Sequence, residues 1–332
     1  MKVLLISNYQ KGIGGIDAQV KLLHTFLNKE KGISADIFST KGNPLIRILK
    51  WINLLCIVPQ YDVLHIHACS YWGMIPVVMG VIAGNFWHKR IVITYHGGEA
   101  ATFFANHISF VKRWLSRADK VVVLSGFLKD IFNQYDIPCE IVPNIVVLQI
   151  RPKREDVIAP KFISIRHLEP LYDIPCVLKA YKQVLEYHPD ATLDVLGQGS
   201  MREQLEQYVI DNHLTGVRFL GQVSNSQIYE YLNNADILLS AAKADNMPVS
   251  LLEAMNAEVL VIASRVGGVP YMINEGKNGL LFESSNSQDL AAKMLWALAH
   301  PKEVEEMRIS AQVEAKKYTW ENVKEKILKL YE

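Results

Sequence analysis

The segment richest in chemistry runs Asp245-Asn246-Met247-Pro248-Val249-Ser250-Leu251-Leu252-Glu253-Ala254. Two acidic residues stand eight apart in it. At that spacing they can bracket one ligand, one carboxylate on a sugar and the other on a ribose, with the amides between them on phosphate. Pro248 suits the first turn of a helix. Asp245 is therefore expected in the loop before that helix, and Glu253 near its second turn. The alternative is an acidic cap followed by a solvated helical carboxylate. Against it, Glu253 sits among Leu251, Leu252, Ala254 and Met255, a setting that is costly for an idle charge.

Arg166 directly follows the apolar run Phe162–Ile165. A guanidinium there can clamp a diphosphate bidentately; the alternative is an ion pair between domains. His96 follows Val92-Ile93-Thr94-Tyr95 and precedes Gly97-Gly98. So placed, it can open onto a ligand, or it can be a core imidazole satisfied by backbone groups. His65 and His67 lie two apart on a strand pattern and share a face, but a metal site needs a third ligand that the spacing does not supply. Gly12-Ile13-Gly14-Gly15 lies between the first strand pattern and the helical pattern Ile16–Lys29. Glycines there let backbone amides approach an anion at a helix N-terminus; a plain tight turn is the alternative. The run is neither GxGxxG nor a P-loop. No Asp-x-Asp occurs in the chain, which argues against a metal-bridged diphosphate. Charge on a leaving diphosphate then falls to Arg, amides and helix dipoles.

These residues share one kind of place. Short apolar runs at Lys2–Ile6, Val63–Ile66, Ile91–Thr94 and Val121–Leu124 alternate with helical patterns in the first half. Phe162–Ile165, Thr192–Leu196, Val217–Leu220, Ile237–Leu239 and Leu260–Ala263 do so in the second. Such alternation predicts parallel sheets covered on both faces, a doubly wound α/β unit built twice. Ligands bind at the carboxyl ends of such strands, where the small, polar and titratable residues stand, Gly197 and Gln222 among them. Two such edges facing each other make a cleft, a preferred small-molecule site. The charged, proline-punctuated stretch Arg151–Asp156 and Pro160 puts the linker at about 144–160. The domains are then 1–150 and 160–317, with a C-terminal helix over about 318–332 that can pack back on the first.

Composition agrees. The chain has 332 residues, half of them hydrophobic, and a net charge of +1. Disorder is excluded by the apolar content, and a nucleic-acid binder driven by bulk charge lacks its basic excess. The length suits two domains of roughly 150 residues. The four cysteines show no CxxC spacing and are expected as reduced thiols in a cytosolic protein. The first apolar run is too short for a signal peptide. Ala68–Trp87 carries no charge over 20 residues and is long enough to span a bilayer, but Pro76, three glycines and Asn85 interrupt it.

In their order and spacing, these motifs resemble the family 4-like retaining glycosyltransferases of GT-B fold, over nearly the whole chain. Gly14-Gly15 matches the family's N-terminal glycine pair, Thr94–Glu99 its His loop, and Val142-Pro143-Asn144 its end-of-domain signature. Arg166–Pro170 resembles the start of its donor domain, and Asp245 to Glu253 its E-x7-E motif with Asp in first place. Gly267–Pro270 and Gly276–Leu281 match later motifs.

The resemblance implies a UDP- or GDP-sugar donor, a glycan or lipid-linked acceptor, no metal or other cofactor, and a part in cell-surface polysaccharide or glycoconjugate synthesis. Glu253 would hold the ribose hydroxyls. Asp245 with the amides of Asn246, Met247, Pro248 and Val249 would hold the donor sugar and distal phosphate. Gly14, Gly15 and Arg166 would meet the diphosphate, with Gly197 and Gln222 also on the donor side. His96 would contact the sugar near the reacting carbon. Each preset donor at the departing oxygen would lower the barrier by ~3 kcal/mol.

The sequence also departs from the pattern. The family's Lys about five residues after the Arg is replaced by Leu171-Tyr172, so one phosphate contact is missing or supplied elsewhere. Glu258-Val259-Leu260 stands where Gly-x-Pro is usual, and Tyr271 where Glu is common. These departures keep open two other readings, a non-catalytic partner subunit and a nucleotide-sugar epimerase. Phe103-Phe104 through Phe110–Trp114 and Arg117 mix aromatic and basic residues. They form either an amphipathic helix packed on the sheet or a peripheral membrane contact at the inner face of an anionic bilayer.

Overall fold

A computed structural model describes residues 1–8, 15–147, 158–224 and 227–332. The chain divides into two compact units, Met1–Ile145 with Trp320–Glu332, and Val146–Thr319.

The first unit is built on β1 (Lys2–Ser7), β2 (Ser34–Ser39), β3 (Val63–Ala68), β4 (Arg90–Tyr95), β5 (Lys120–Val123) and β6 (Glu140–Ile141). They form one parallel sheet in the order β2-β1-β3-β4-β5-β6. Its helices are α1 (Gly15–Leu27), α2 (Pro44–Ile57), α3 (Ile75–Phe86), α4 (Ala100–Leu115) and α5 (Gly126–Gln134). Strand side chains alternate between two apolar layers. Leu4, Ile6, Leu64 and Ile66 pack in one with residues of α3, α4 and α5. Val3, Leu5, Val63 and Val92 pack in the other with α1 and with the C-terminal segment. Each fully buried aliphatic side chain contributes roughly 1.5–3 kcal/mol relative to exposure. Because both faces are covered, the strands read as unbroken apolar runs.

The second unit holds β7 (Lys161–Ile165), β8 (Thr192–Leu196), β9 (Val217–Gly221), β10 (Ile237–Ser240), β11 (Leu260–Ser264) and β12 (Leu280–Phe282). They too form one parallel sheet, in the order β12-β11-β10-β7-β8-β9. With them go α6 (Ile174–Leu185), α7 (Arg202–Asp211), α8 (Ile228–Asn234), α9 (Val249–Asn256), α10 (Ser287–Ala299) and α11 (Pro301–Lys316). The last helix, α12 (Trp320–Leu330), belongs to the first unit. There Trp320 stacks on Phe26 at 5.1 Å, and its indole N–H donates to Glu30 at 2.7 Å.

Three strands go beyond the apolar runs: β2, an edge strand of mixed polarity, and the short β6 and β12. The uncharged stretch Ala68–Trp87 does not form a single long helix. Ala68 ends β3, Tyr71–Met74 makes a tight turn of helix, and α3 follows. Seven of the twelve α3 residues are buried, among them Gly80 and Gly84, where an added Cβ would meet Ile66, Leu64 and Ile91. The middle of the stretch lacks charge because it is core, while Tyr71, Trp72, Phe86 and Trp87 are exposed. Among the described residues no helix is long and apolar enough to cross a membrane. Most of the 103–117 aromatic stretch also turns inward: Phe103, Phe104, Val111 and Leu115 are buried, and only Phe110 of its large hydrophobic residues is exposed.

Candidate active site

In an open parallel sheet the chain leaves a crevice at the carboxyl edge where strand order reverses. In the second sheet β7 leads to β8 and β9 on one side, and the chain then returns to place β10 on the other. The reversal lies between β7 and β10. Arg166 is the first residue after β7, and Ser240 is the last of β10. The Arg166 guanidinium donates to Ser240 Oγ from Nε at 3.1 Å and from Nη2 at 2.9 Å. The same Nη2 lies 3.1 Å from Asp245 Oδ2. The ion pair therefore lies within one unit, not between domains. Tyr172 covers the guanidinium, its ring centroid 5.7 Å from Cζ.

Asp245 is pinned from both ends. Its Oδ1 accepts from Asn246 N–H at 2.8 Å, while its carbonyl accepts from Gly268 N–H at 3.1 Å. Two details of the expected amide cradle change. Asn246 N–H is spent on Asp245, and Pro248 has no N–H to give. Pro248 is also the residue before α9, in extended conformation, rather than part of its first turn. Met247 is buried just ahead of it, and Val249 opens α9, whose first turn has no side-chain cap. That helix end still carries unpaired N–H groups and positive dipole.

Glu253 lies in the second turn of α9, and its helix neighbours Leu251, Leu252, Ala254 and Met255 are buried. Part of its side chain reaches solvent, but burial of the carboxyl pushes its pKa up to about 8, with the Arg166 charge pulling the other way. A carboxyl so held takes up or releases its proton near neutrality.

Gly197 stands beside Arg166, where an added Cβ would collide with the Arg166 carbonyl; its φ of +142° also disfavours any side chain. Gln222 follows β9 and is exposed. Gly15 opens α1, while Gly14 lies outside the described residues.

Lys243 occupies the neighbourhood of the departed family Lys. Its N–H donates to Leu171 carbonyl at 2.8 Å, and its ammonium lies 3.7 Å from Asp173 Oδ2. A cation thus reaches the Leu171–Asp173 turn from the β10 side of the sheet. The unusual Glu258 points elsewhere: its carboxylate accepts from Gln312 on α11 at 2.7 Å.

The first unit gathers histidines instead. His65 and His67 lie on β3 with rings stacked at 4.6 Å. His65 is fully engaged, Nδ1 with Tyr331 hydroxyl and Nε2 with Thr94 hydroxyl, both at 2.7 Å. His96 follows β4, and its Nε2 meets His67 Nδ1 at 2.9 Å. His67 Nε2 is buried with no partner. The His67 proton is therefore assigned to Nδ1, where it has an acceptor, rather than to Nε2, where an N–H would be stranded. His96 then accepts on Nε2 and carries its own proton on Nδ1. Burial lowers the His96 pKa to about 4 and, with the His96 charge as a lesser cause, the His65 pKa to about 3. Burial, then its two histidine neighbours, holds His67 well below its ordinary value. A cavity of about 30 Å³ beside them, also lined by Gln19 and Asn144, has room for ordered water. The imidazoles bond one another and two hydroxyls, and among the described residues no His, Cys, Asp or Glu group could hold a metal.

Residues 149–314 match the model of the glycosyl transferases group 1, half of the chain, and 28–150 match Glycosyltransferase Family 4. The chain belongs to the glycosyl transferases group 1. It is a family 4-like glycosyltransferase of GT-B fold. An uncharacterized glycosyltransferase of Methanocaldococcus jannaschii is 24% identical over all of this chain and 98% of its own length. The N-acetyl-alpha-D-glucosaminyl L-malate synthase of Bacillus anthracis is 24% identical over 82% of this chain and 73% of its own. Two solved structures share the fold across 99% of this chain and 98% of theirs. They are sucrose-phosphate synthase from Thermosynechococcus elongatus, with TM-score 0.81 and 18% identity, and Anabaena HepE in complex with UDP and glucose, with TM-score 0.80 and 17% identity.

Ser240, Lys243, His67 and Tyr331 are the residues that motif reading did not assign to these networks. Ser240 had a signal, as a polar residue ending an apolar strand, and His67 had one as half of a pair sharing a strand face. Lys243 and Tyr331 are brought in by topology.

Proposed function

We propose that this glycosyltransferase moves a hexosyl unit from a UDP- or GDP-sugar to a glycan or lipid-linked acceptor, with retention at the anomeric carbon, in polysaccharide or glycoconjugate synthesis. The observation that carries the reading is the cluster of Arg166, Asp245 and Glu253 at the reversal point of the second sheet. UDP in the HepE structures supports a nucleotide-sugar donor.

Ionised Glu253 accepts from the two ribose hydroxyls. Asp245 holds Arg166 with one carboxylate edge toward the donor, and the guanidinium donors left over by Ser240 and Asp245 meet the diphosphate. Lys243 and the α9 N-terminus add positive charge there. As the anomeric carbon parts from the phosphate oxygen, the electron pair leaves on the diphosphate, and these groups stabilise it without a metal ion. The acceptor oxygen bonds the anomeric carbon on the face the diphosphate leaves and passes its proton to the departing phosphate oxygen. His96, held by His67, touches the donor sugar through Nδ1–H.

The test is a panel of nucleotide-sugars, with nucleotide release followed with and without acceptor, and with and without EDTA. Release that requires acceptor and persists in EDTA is the expected result. Binding without release would mean a non-catalytic subunit. Release yielding epimerised free sugar would mean an epimerase.

A further inference from the structure

Strand β3 is buried along its whole length, yet it carries two imidazoles, His65 and His67, on one face. Thr94 on β4 is buried beside them. Polar side chains in such a layer are costly unless partners hold them, and held ones fix a single arrangement. With Tyr331 and His96 these three make a continuous row. The Tyr331 and Thr94 hydroxyls meet the two nitrogens of His65, each at 2.7 Å. The His65 ring stacks on His67 at 4.6 Å, and His67 Nδ1 meets His96 Nε2 at 2.9 Å. The row runs from the end of α12 to His96, just past the carboxyl end of β4.

Its links are not equally secure. His67 makes one hydrogen bond, and that bond is to His96 itself. Its Nε2 is buried with no partner among the described residues. A ring held only by its neighbour cannot orient that neighbour. The other restraint on the plane of His67 is the His65 ring, 22° from parallel with it. His65 is fixed at both nitrogens, so it cannot turn without stranding a buried polar atom. The security of the row therefore comes from His65 and from the two hydroxyls that hold it.

One of those hydroxyls rides on the sheet, in Thr94. The other is delivered by α12, from 266 residues away in sequence. Leu330 and Ile327 pack in one layer with Val3, Leu5 and Val92, and Leu330 carbonyl accepts from Arg90 Nε at 2.8 Å. Tyr331 follows directly, 5% exposed, with its ring edge-on to His65 at 5.6 Å. Phenylalanine would fill that space equally well, so packing does not account for the hydroxyl. Burial holds its pKa well above the ordinary value, which keeps it a neutral hydrogen-bonding group.

We propose that Tyr331 is a positioning residue for His96, acting through the His65 ring on His67. Its hydroxyl touches no substrate; it fixes the far end of the row so that the near end presents Nδ1–H of His96 in one orientation. The proposal rests on the reading of His96 as the group that meets the donor sugar.

The test is Tyr331→Phe in the full chain, which keeps the ring and removes the hydroxyl. Two-dimensional 1H–15N spectra of the imidazoles report which nitrogen carries each proton. In the variant the His67 and His96 resonances should shift or broaden, with UDP affinity unchanged. In nucleotide release from the UDP- or GDP-sugar that is turned over, kcat should fall about fivefold, the worth of one hydrogen bond, with KM for donor unchanged. In a His67→Ala background the same substitution should change kcat by less than about twofold, because the path through His67 is already cut. Unchanged His67 and His96 resonances overturn the proposal whatever the rates. So does an equal fall in kcat with and without His67, which makes the hydroxyl merely structural. If Tyr331→Phe melts early, Thr94→Val, which frees the other nitrogen of His65, serves as the second probe with the same outcomes. His96→Ala keeps the two readings apart: wild-type transfer in that variant, with shifted resonances in Tyr331→Phe, would remove His96 from the sugar and still support the row.

Discussion

Each unit gathers titratable side chains at the carboxyl edge of a parallel sheet, and the two gatherings have opposite electrostatics. In the first, His65, His67 and His96 are bases kept neutral by burial and bonded mainly to one another and to hydroxyls. In the second, an acid, Glu253, is held near the point of ionisation beside an Arg that is already paired. The first arrangement fixes the orientation and tautomer of a neutral ring, whereas the second stores charge that a polar, anionic ligand can use. Burial alone favours neutral forms in both places; what differs is whether a fixed charge stands nearby.

Removing that fixed charge should have the largest effect. Arg166→Ala is expected to lower kcat/KM by on the order of 100- to 1000-fold, the range for losing a preset donor to a leaving oxyanion. It should also raise the Glu253 pKa further, since the Arg166 charge is the force opposing burial there. Steady-state kinetics and a pH titration of nucleotide binding read both, with melting as the check on folding.

The pH titration sharpens the contrast next. Ribose hydroxyls need the ionised Glu253, whose pKa stands at about 8. UDP affinity should therefore rise roughly tenfold per pH unit between pH 6 and 8 and level off above. Glu253→Gln should bind weakly and without that slope; an equal slope in both proteins would remove Glu253 from the ribose site.

On the histidine side the expected effect is smaller. His67→Ala should slow transfer by roughly tenfold with KM for donor unchanged, because it frees the His96 ring without touching the nucleotide. His67→Asn, whose amide can take the place of Nδ1–H, should restore most of the rate. A loss in KM instead, or no rescue, would make His67 merely structural.

Stability should show the same opposition. A base with a lowered folded pKa contributes stability that is present above its ordinary value and lost as pH falls. Acidification from 6.5 toward about 4 for His96, and toward about 3 for His65, should therefore destabilise the chain. The cost approaches ~1.4 kcal/mol per pH unit for each ring that is fully buried. Glu253 acts in reverse: stability present below 4.5 is lost as pH rises toward 8. Melting across pH 4 to 8 should give a dome for wild type. His65→Asn should flatten its acid side and Glu253→Gln its basic side.

Much of this was legible in the sequence, and the rest was hidden for identifiable reasons. The apolar runs foretold nine strands because strands buried on both faces have no polar alternation to blur them. β2 was missed because an edge strand mixes polar and apolar residues, and β12 because it is short. Ala68–Trp87 matched a membrane span in length and lack of charge, with Pro76, three glycines and Asn85 against it, and α3 takes up only twelve of its residues.

In the site, local motifs placed Arg166 and His96 at strand ends, Asp245 in the loop before α9 and Glu253 near its second turn. Their partners were not readable, because partnership is a matter of sheet order. Ser240 lies 74 residues from Arg166, and Tyr331 lies 266 from His65. Lys243 shows the same point: three residues after β10, it brings its ammonium within 3.7 Å of Asp173, 70 residues away in sequence.

The most direct test is calorimetric titration of UDP and GDP into wild-type protein and into Glu253→Ala and His67→Ala. Wild type should bind one of the two nucleotides, Glu253→Ala should lose that binding by at least about tenfold, and His67→Ala should keep it. Undiminished affinity in Glu253→Ala, or binding lost in His67→Ala alone, would contradict the assignment of the donor nucleotide to the second sheet.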